Sequence, residues 1–318
     1  YQSVHESLGL HRTAMEVESY SADLTGLLSG APHLLLWGAF DWFRQPEGQL
    51  FPGVAVVVLI VLALSQISWR SSQVVSGTLR GIRVVTTSIA LMTTVGLGYY
   101  LVAGPWQVSM FGMTLGLTSV AHWFPFTLLA ATLSFLVSRV GVEAYRRRSP
   151  LAFYLFAGFV LTLLAMGPYP SVAGTTIMNY SPYLGLMQVP GFDGLRVPAR
   201  FWMLVLVCLS AAVAIAYARV VRSDGRGRGA ICSIVGLFIL LDGWAVIPIV
   251  PAPIQSEILN GRASGPVLEL PLGWRDDDVA AMLRSATHHQ PVVNGHSGYT
   301  APHYSALAYG LGHSREEL

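Results

Sequence analysis

FWMLVLVCLSAAVAIAYARVVRSDGRGR, residues 201–228, decides the fold class of this chain. From Phe201 to Ala218 the stretch carries no charge, and Arg219, Arg222, Arg226 and Arg228 follow directly. A helix needs roughly 17 to 25 predominantly apolar residues to cross the hydrocarbon core, and arginine clusters stay on the cytoplasmic side. The stretch therefore reads as one membrane crossing that runs inward from Phe201.

Five other apolar runs share this form: Pro52 to Ile67, Val84 to Ala103, Phe124 to Val137, Leu151 to Met166 and Gly229 to Ile249. The run at Phe124 is expected to extend back through Val120 and His122. Arg70, Arg80 and Arg83, then Arg139, Arg146, Arg147 and Arg148, then the cluster after Ala218 occupy alternate connections. Between them, 104–123 has no basic residue and 167–200 has only Arg196 and Arg200. The alternation predicts about six crossings with arginine-rich loops in the cytoplasm and both ends outside.

Composition agrees: 53% of the 318 residues are hydrophobic and 11% charged, against about 25% charged in soluble domains. A net charge of +2, with no basic stripe interleaved with aromatics, excludes nucleic acid as a partner. Cys208 and Cys232 lie inside apolar runs, where a thiol acts as a small apolar filler. No metal-ligand spacing and no phosphate-binding glycine loop occurs, so neither a metal nor a cofactor is expected.

The expected architecture is a mainly α, polytopic helical membrane protein with a small extracytoplasmic α/β segment at its C-terminus. Residues 1–50 form an outer segment partly lying on the membrane surface. Thr13 and Glu16 have capping-box spacing, and the tryptophan-rich stretch Pro32 to Phe43 suits the headgroup region. Residues 51–250 form the transmembrane domain, with an outer loop at 167–200 rich in glycine, proline and aromatic residues. From 251 to 318 the composition turns polar. Val267 to Leu270 and Val292–Val293 read as strands flanking a helix from Asp276 to about Ser285. The chain opens at Tyr1 without methionine, so a longer parent protein and a truncated last domain are expected.

Asp242 is the lone carboxylate of any run, about eight residues below Val250 and so roughly 12 Å deep. At that depth it either faces a wet cavity or is a structural acid, paired with an arginine of the helix that carries the Phe201 run or protonated and bonded to backbone. Arg196 and Arg200, in GFDGLRVPARF, are four apart where the outer loop meets the Phe201 run. If Val197 to Phe201 is helical they share a face beside unpaired N–H groups, a site for phosphate on a lipid carrier. Interfacial anchoring, or pairing with Asp193 and Asp242, is the competing reading. Asp276, Asp277 and Asp278 read as helix-capping acids, and the histidines at 288, 289, 296 and 303 as solvated loop residues.

The strings SPYLGLMQVPGFDGLRVPARF, GPVLELPLG and VVNGHSGYTAPHY, with YSADL and RQPEGQLFPG nearer the start, resemble the C-terminal half of bacterial membrane proteins of the GT-C glycosyltransferase superfamily. The resemblance implies transfer of a sugar from a polyprenyl-phosphate carrier to an extracytoplasmic glycan, lipid or protein acceptor, in the bacterial inner membrane. It implies that Asn179, Tyr180, Tyr183, Asp193, Arg196 and Arg200 face the carrier phosphate and sugar. The family's acidic pair sits in a first outer loop that is not identifiable here, so the base comes from the missing part or from an outer acid such as Asp41. A transporter or flippase switched by Asp242, or a structural component of the cell envelope, is the alternative.

Overall fold

The computed structural model describes residues 12–40, 47–65, 77–110, 113–117, 119–223, 228–249, 265–297, 300 and 302–313. The chain divides into two compact units, Tyr1–Ile247 and Pro248–Leu318.

The first unit is built from helices. In chain order these are α1 (Ala14–Glu18), a 3-10 turn (Leu24–Leu28), α2 (Val54–Ser65), α3 (Gly77–Ala103), α4 (Val120–Val137), α5 (Arg139–Arg146), α6 (Pro150–Ala165), α7 (Pro182–Leu186), a 3-10 turn (Pro198–Arg200), α8 (Phe201–Ser223) and α9 (Arg228–Asp242). Two small antiparallel ribbons interrupt them, β1 (Trp106–Met110) with β2 (Met113–Leu117), and β3 (Ser171–Val172) with β4 (Thr175–Thr176).

Each apolar run carries a helix, but among the described residues three stretches are long and apolar enough to cross a membrane: Arg80–Tyr100, Val120–Val137 and Pro198–Ala218. A fourth crossing arises if α5 and α6, bent by 116° at their junction, count as one broken span. The bend has a local cause. Ser149 accepts the N–H of Ala152 and Pro150 occupies the first turn, so a new helix starts there. Against a core of roughly 30 Å, the 15-residue α9 reaches about 22 Å. It ends at Asp242 because the next residues take an extended path. Leu35 N–H donates to the Trp244 carbonyl at 2.8 Å, and Val246 N–H to the His33 carbonyl at 2.8 Å.

Helix α6 packs along α8, α3 along α4, and α2 against both α8 and α9. Small residues allow the close approach of α6 and α8. Gly158 faces Cys208 and Val205, and Ala212 and Ala216 are fully buried further along α8. Across α3 and α4, the hydroxyls of Thr87 and Ser134 are 2.9 Å apart.

Over the ends of α6 and α8 sits a polar platform formed by the N-terminal segment and the 167–200 loop. Ala22, Leu50, Ala165, Ala199, Trp202 and Val205 form one buried cluster, so platform and helices share a core. Backbone bonds stitch it: Ala22 N–H to Ala165 carbonyl at 3.0 Å, Ala199 N–H to Tyr20 carbonyl at 3.3 Å, and Asn179 N–H to Ala121 carbonyl at 3.2 Å. Gly167 (φ +68) passes so close to Ser21 that a Cβ there would overlap its hydroxyl.

The second unit contains α10 (Arg275–His288) and α11 (Pro302–His313). Where two strands are expected, a single parallel bridge joins Val267 to Val292. The buried Asn294 extends that bridge by imitating backbone: its Oδ1 accepts Glu269 N–H at 2.8 Å and its Nδ2 donates to the Glu269 carbonyl at 2.9 Å. Nδ2 also reaches buried Asp278 in the first turn of α10 at 3.0 Å, which ties the bridge to the helix. Glu269 in turn is held by the Arg284 guanidinium from the same helix.

Candidate functional site

The platform gathers most of the polar chemistry of the first unit, and its centre is Asp23. This buried carboxylate caps the Leu24–Leu28 turn through Thr25 N–H at 2.8 Å and also takes the Thr25 hydroxyl. It takes the Ser171 hydroxyl at 2.7 Å and the N–H groups of Ala173 and Gly174 at 3.0 Å each. Burial alone would raise its pKa; the hydrogen bonds from Thr25, Ser171 and Gly174 outweigh that and hold it below the ordinary value of 3.8. Five donors occupy the roughly four acceptor positions of a carboxylate. Asp23 is thus a clamp on the β3–β4 turn, with no lone pair left for proton transfer.

Arg196 and Arg200 both face acids of the N-terminal segment. The Arg196 Nη2 donates to the Tyr20 hydroxyl at 2.7 Å, its guanidinium carbon lies 4.5 Å from the Tyr20 ring centre, and its Nε lies 3.4 Å from Glu16 Oε1. Glu16 also accepts from Arg12 at 2.6 Å, while Thr13 caps α1 through Glu16 N–H at 3.2 Å. Arg200 makes a two-pronged pair with Glu47, Nε to Oε2 and Nη2 to Oε1, both at 2.7 Å. The hydrogen bond and charge of Arg200 hold the Glu47 carboxyl below its usual range.

The shared helical face inferred for the two arginines is absent. Val197 sits at φ −122°, ψ 84°, because the following Pro198 disfavours helical backbone before it. The start of α8 is also closed as an anion site: Pro198 has no N–H, Ala199 donates to Tyr20, and Arg200 donates to the Val197 carbonyl at 3.3 Å.

Asp242 is the last residue of α9, which ends there rather than running on through the apolar residues that follow, and it serves α2. It accepts Trp37 Nε1–H at 2.9 Å and Ala55 N–H at 2.7 Å, a carboxylate on the positive end of a helix. Gly53 (φ +93) makes room, since a Cβ there would stand 2.9 Å from Asp242 Oδ2. Of the two structural readings open from the sequence, the bond to backbone is present, through Ala55 N–H, beside a side-chain bond from Trp37, and the arginine pair is absent among the described residues.

The loop residues separate. Tyr183 is fully buried, its hydroxyl donating to the Leu195 carbonyl at 3.1 Å, and burial pushes its pKa up to about 12. Tyr180 is 70% exposed on the same loop, and Asn179 is half-buried and bound to the start of α4 by its backbone. The Asp193 carbonyl accepts Arg12 N–H at 3.3 Å. Asp41 lies outside the described residues. Glu47 and the clamping role of Asp23 had no signal in periodicity; Glu47 follows proline and precedes glycine, as a plain turn residue would.

No family model, curated protein or solved structure matches this chain. The likeness to GT-C proteins stands on the quoted strings alone.

Proposed function

We propose that this chain is the membrane-embedded part of a glycosyltransferase-like protein that receives its sugar on a polyprenyl-phosphate carrier and delivers it to an extracytoplasmic glycan, lipid or protein. The observation that carries the proposal is the Arg200–Glu47 pair. The guanidinium is 60% exposed and the carboxylate 41%, and they meet in a two-pronged geometry at the head of the apolar stretch Pro198–Ala218. A phosphate presents the same pair of oxygens with more charge, so it can displace Glu47 from Arg200 without rearranging the fork. Tyr180, exposed nearby in sequence, supplies an aromatic surface for a sugar ring.

In this reading α2, α3, α4, α6, α8 and α9 make six crossings of the bacterial inner membrane, three by length and three as shorter helices. The arginines near α5 and between α8 and α9 lie in the cytoplasm and the platform lies outside. Asp23 and Asp242 spend their carboxylates on structural donors, so the base is assigned to another acid, Asp41 or one in the parent protein. That same commitment of acids favours a second reading, in which the chain binds the lipid-linked glycan for transport or envelope assembly without forming a glycosidic bond.

Proteoliposomes of the parent protein, given radiolabelled polyprenyl-phosphate sugar and acceptor, test both. Label on the acceptor that disappears in Arg200→Ala supports the transferase. Equal label in wild type and Arg200→Ala overturns it, and label crossing the bilayer with no new glycosidic bond selects the second reading.

A further inference from the structure

Helix α5 turns off the end of α4 after a single linking residue, Ser138, whose hydroxyl caps it by accepting Gly141 N–H at 3.0 Å. It packs on the last turn of α4 so closely that a Cβ on Gly141 would collide with the Phe135 and Leu136 carbonyls. Spacing of i, i+4 and i+7 puts Arg139, Glu143 and Arg146 on one face, with Val140, Gly141 and Ala144 on the opposite side. Tyr145 flanks the apolar side and is 86% exposed. The last carbonyls of α5 are taken by backbone: Arg147 N–H goes to Glu143, Arg148 N–H to Tyr145 and Ser149 N–H to Ala144. Arg148 is left-handed there (φ +47), where glycine is the usual residue. Glu143 pairs with Arg147 at 2.6 Å, while the side chains of Arg139, Arg146 and Arg148 are exposed, with no ion pair or hydrogen bond among the described residues. The Thr87–Ser134 contact shows which end of α3 lies beside α5. One and two turns further on stand Arg83, whose Nε and Nη2 are buried without a partner, and the exposed Arg80. Residues 77–87 and 138–149 thus bring six arginines against one glutamate.

We propose that α5 lies in the plane of the headgroup layer and that Arg139, Arg146 and Arg148 hold the phosphate of an anionic phospholipid, with Tyr145 at the same level. The 116° bend between α5 and α6 is 26° past perpendicular. With α6 along the bilayer normal, a helix of about 12 Å then rises only about 5 Å from one end to the other. The headgroup layer is roughly 5 to 8 Å deep on each side of the hydrocarbon, so α5 fits within it. Its depth is set by α4, which is long and apolar enough to cross and ends at Val137. The apolar side then rests on the end of α4 and the hydrocarbon boundary, and the Arg139–Arg146 face meets the headgroups, as in an interfacial amphipathic helix. The uncompensated guanidinium groups choose the lipid. A zwitterionic headgroup carries its own ammonium beside the phosphate, whereas an anionic one leaves that phosphate to the arginine fork. A glycine at 148 would relax the backbone and remove one of the three donors.

This placement rests on the membrane reading proposed above, and one experiment separates the two. In a background carrying Cys208→Ala and Cys232→Ala, a bimane label is placed at Tyr145→Cys, or at Leu133→Cys within α4 as reference. The chain is reconstituted in phosphatidylcholine vesicles that hold the same low fraction of nitroxide-labelled phosphatidylglycerol or nitroxide-labelled phosphatidylcholine, and quenching is measured. The expected result at position 145 is roughly fivefold stronger quenching by the anionic lipid, the factor that one arginine supplies near an anionic surface. Arg139→Gln, Arg146→Gln and Arg148→Gln together, or salt at about 1 M, should bring the two lipids toward parity. The salt arm decides should the triple variant fail to insert. Equal quenching by the two lipids at 145, or a preference that neither salt nor the triple variant lowers, overturns the proposal alone. No quenching at 145 while Leu133→Cys is quenched also overturns it, because α5 then stands clear of the lipid. No quenching at Leu133→Cys removes the membrane reading and the proposal with it.

Discussion

Trp37 donates its indole N–H to the carboxylate of Asp242 at 2.9 Å, across 205 positions of sequence. The second oxygen of Asp242 takes Ala55 N–H, so one acid joins the N-terminal segment, the head of α2 and the end of α9. Removing it leaves an orphan indole and an uncapped helix.

Asp242→Ala should lower unfolding free energy in detergent by about 1–3 kcal/mol, and Trp37→Phe by about 0.5–1.5 kcal/mol. Because the two share one bond, the double variant should be less damaging than the sum of the singles. Strict additivity in thermal melts would show that the contact contributes nothing.

The Asp23 clamp makes a pH prediction. Its folded pKa lies below 3.8, so its stabilisation is complete above the unfolded value and is lost as pH falls through the folded one. Asp23→Asn, with one carbonyl oxygen facing the donors of Thr25, Ser171, Ala173 and Gly174, should be less stable at neutral pH and should flatten the acid limb of the stability profile. An unchanged acid limb would remove Asp23 as its source.

Glu47→Gln should strengthen binding of polyprenyl phosphate in nanodiscs, because the guanidinium of Arg200 then loses its charged competitor. Arg200→Lys keeps the charge without the planar fork and should bind at an intermediate level, below wild type and above Arg200→Ala. Acidification through the depressed pKa of Glu47 should mimic Glu47→Gln. Identical affinities across the series would dismiss the exchange of carboxylate for phosphate.

Tyr183 is a core residue, and its substitution should report on folding. Tyr183→Phe deletes the bond to the Leu195 carbonyl and should cost about 0.5–1.5 kcal/mol, whereas Tyr183→Ala should cost about 3–5 kcal/mol. With its pKa raised to about 12, its contribution is intact below the ordinary tyrosine value of 10.0 and declines as pH climbs from there to about 12. Ultraviolet titration of wild type against Tyr183→Phe measures this; ionisation of Tyr183 near pH 10 would show that it is reached by water.

Local features were readable in the residues. Helices lie at every apolar run, Thr13 caps the helix its spacing announced, and the three aspartates after Arg275 fill the first turn of α10, although they do not cap it, since Trp274 holds the N-cap position and makes no side-chain cap bond. These depend on neighbours a few positions away, which propensity and periodicity register. Long-range partners were not readable. Asp23 finds Ser171 148 positions on, and Glu47 finds Arg200 153 positions on. Hydropathy also overran α9, because Trp244 to Val246 are as apolar as the helix yet pair in extended form with 33–35. The two arginines look like a helical pair by spacing, and the proline between them breaks the geometry the spacing assumes.

The stitching of the platform also imposes an order on biogenesis. Ala22 waits for Ala165, Tyr20 for Ala199 and Asp23 for the 171–174 turn, so the earliest described residues acquire their partners only when the ribosome has finished the latter half of the first unit. At about 5–20 residues per second that delay is roughly ten to thirty seconds. Throughout it the leading segment has emerged without its core, open to protease and dependent on whatever escorts nascent chains at the membrane.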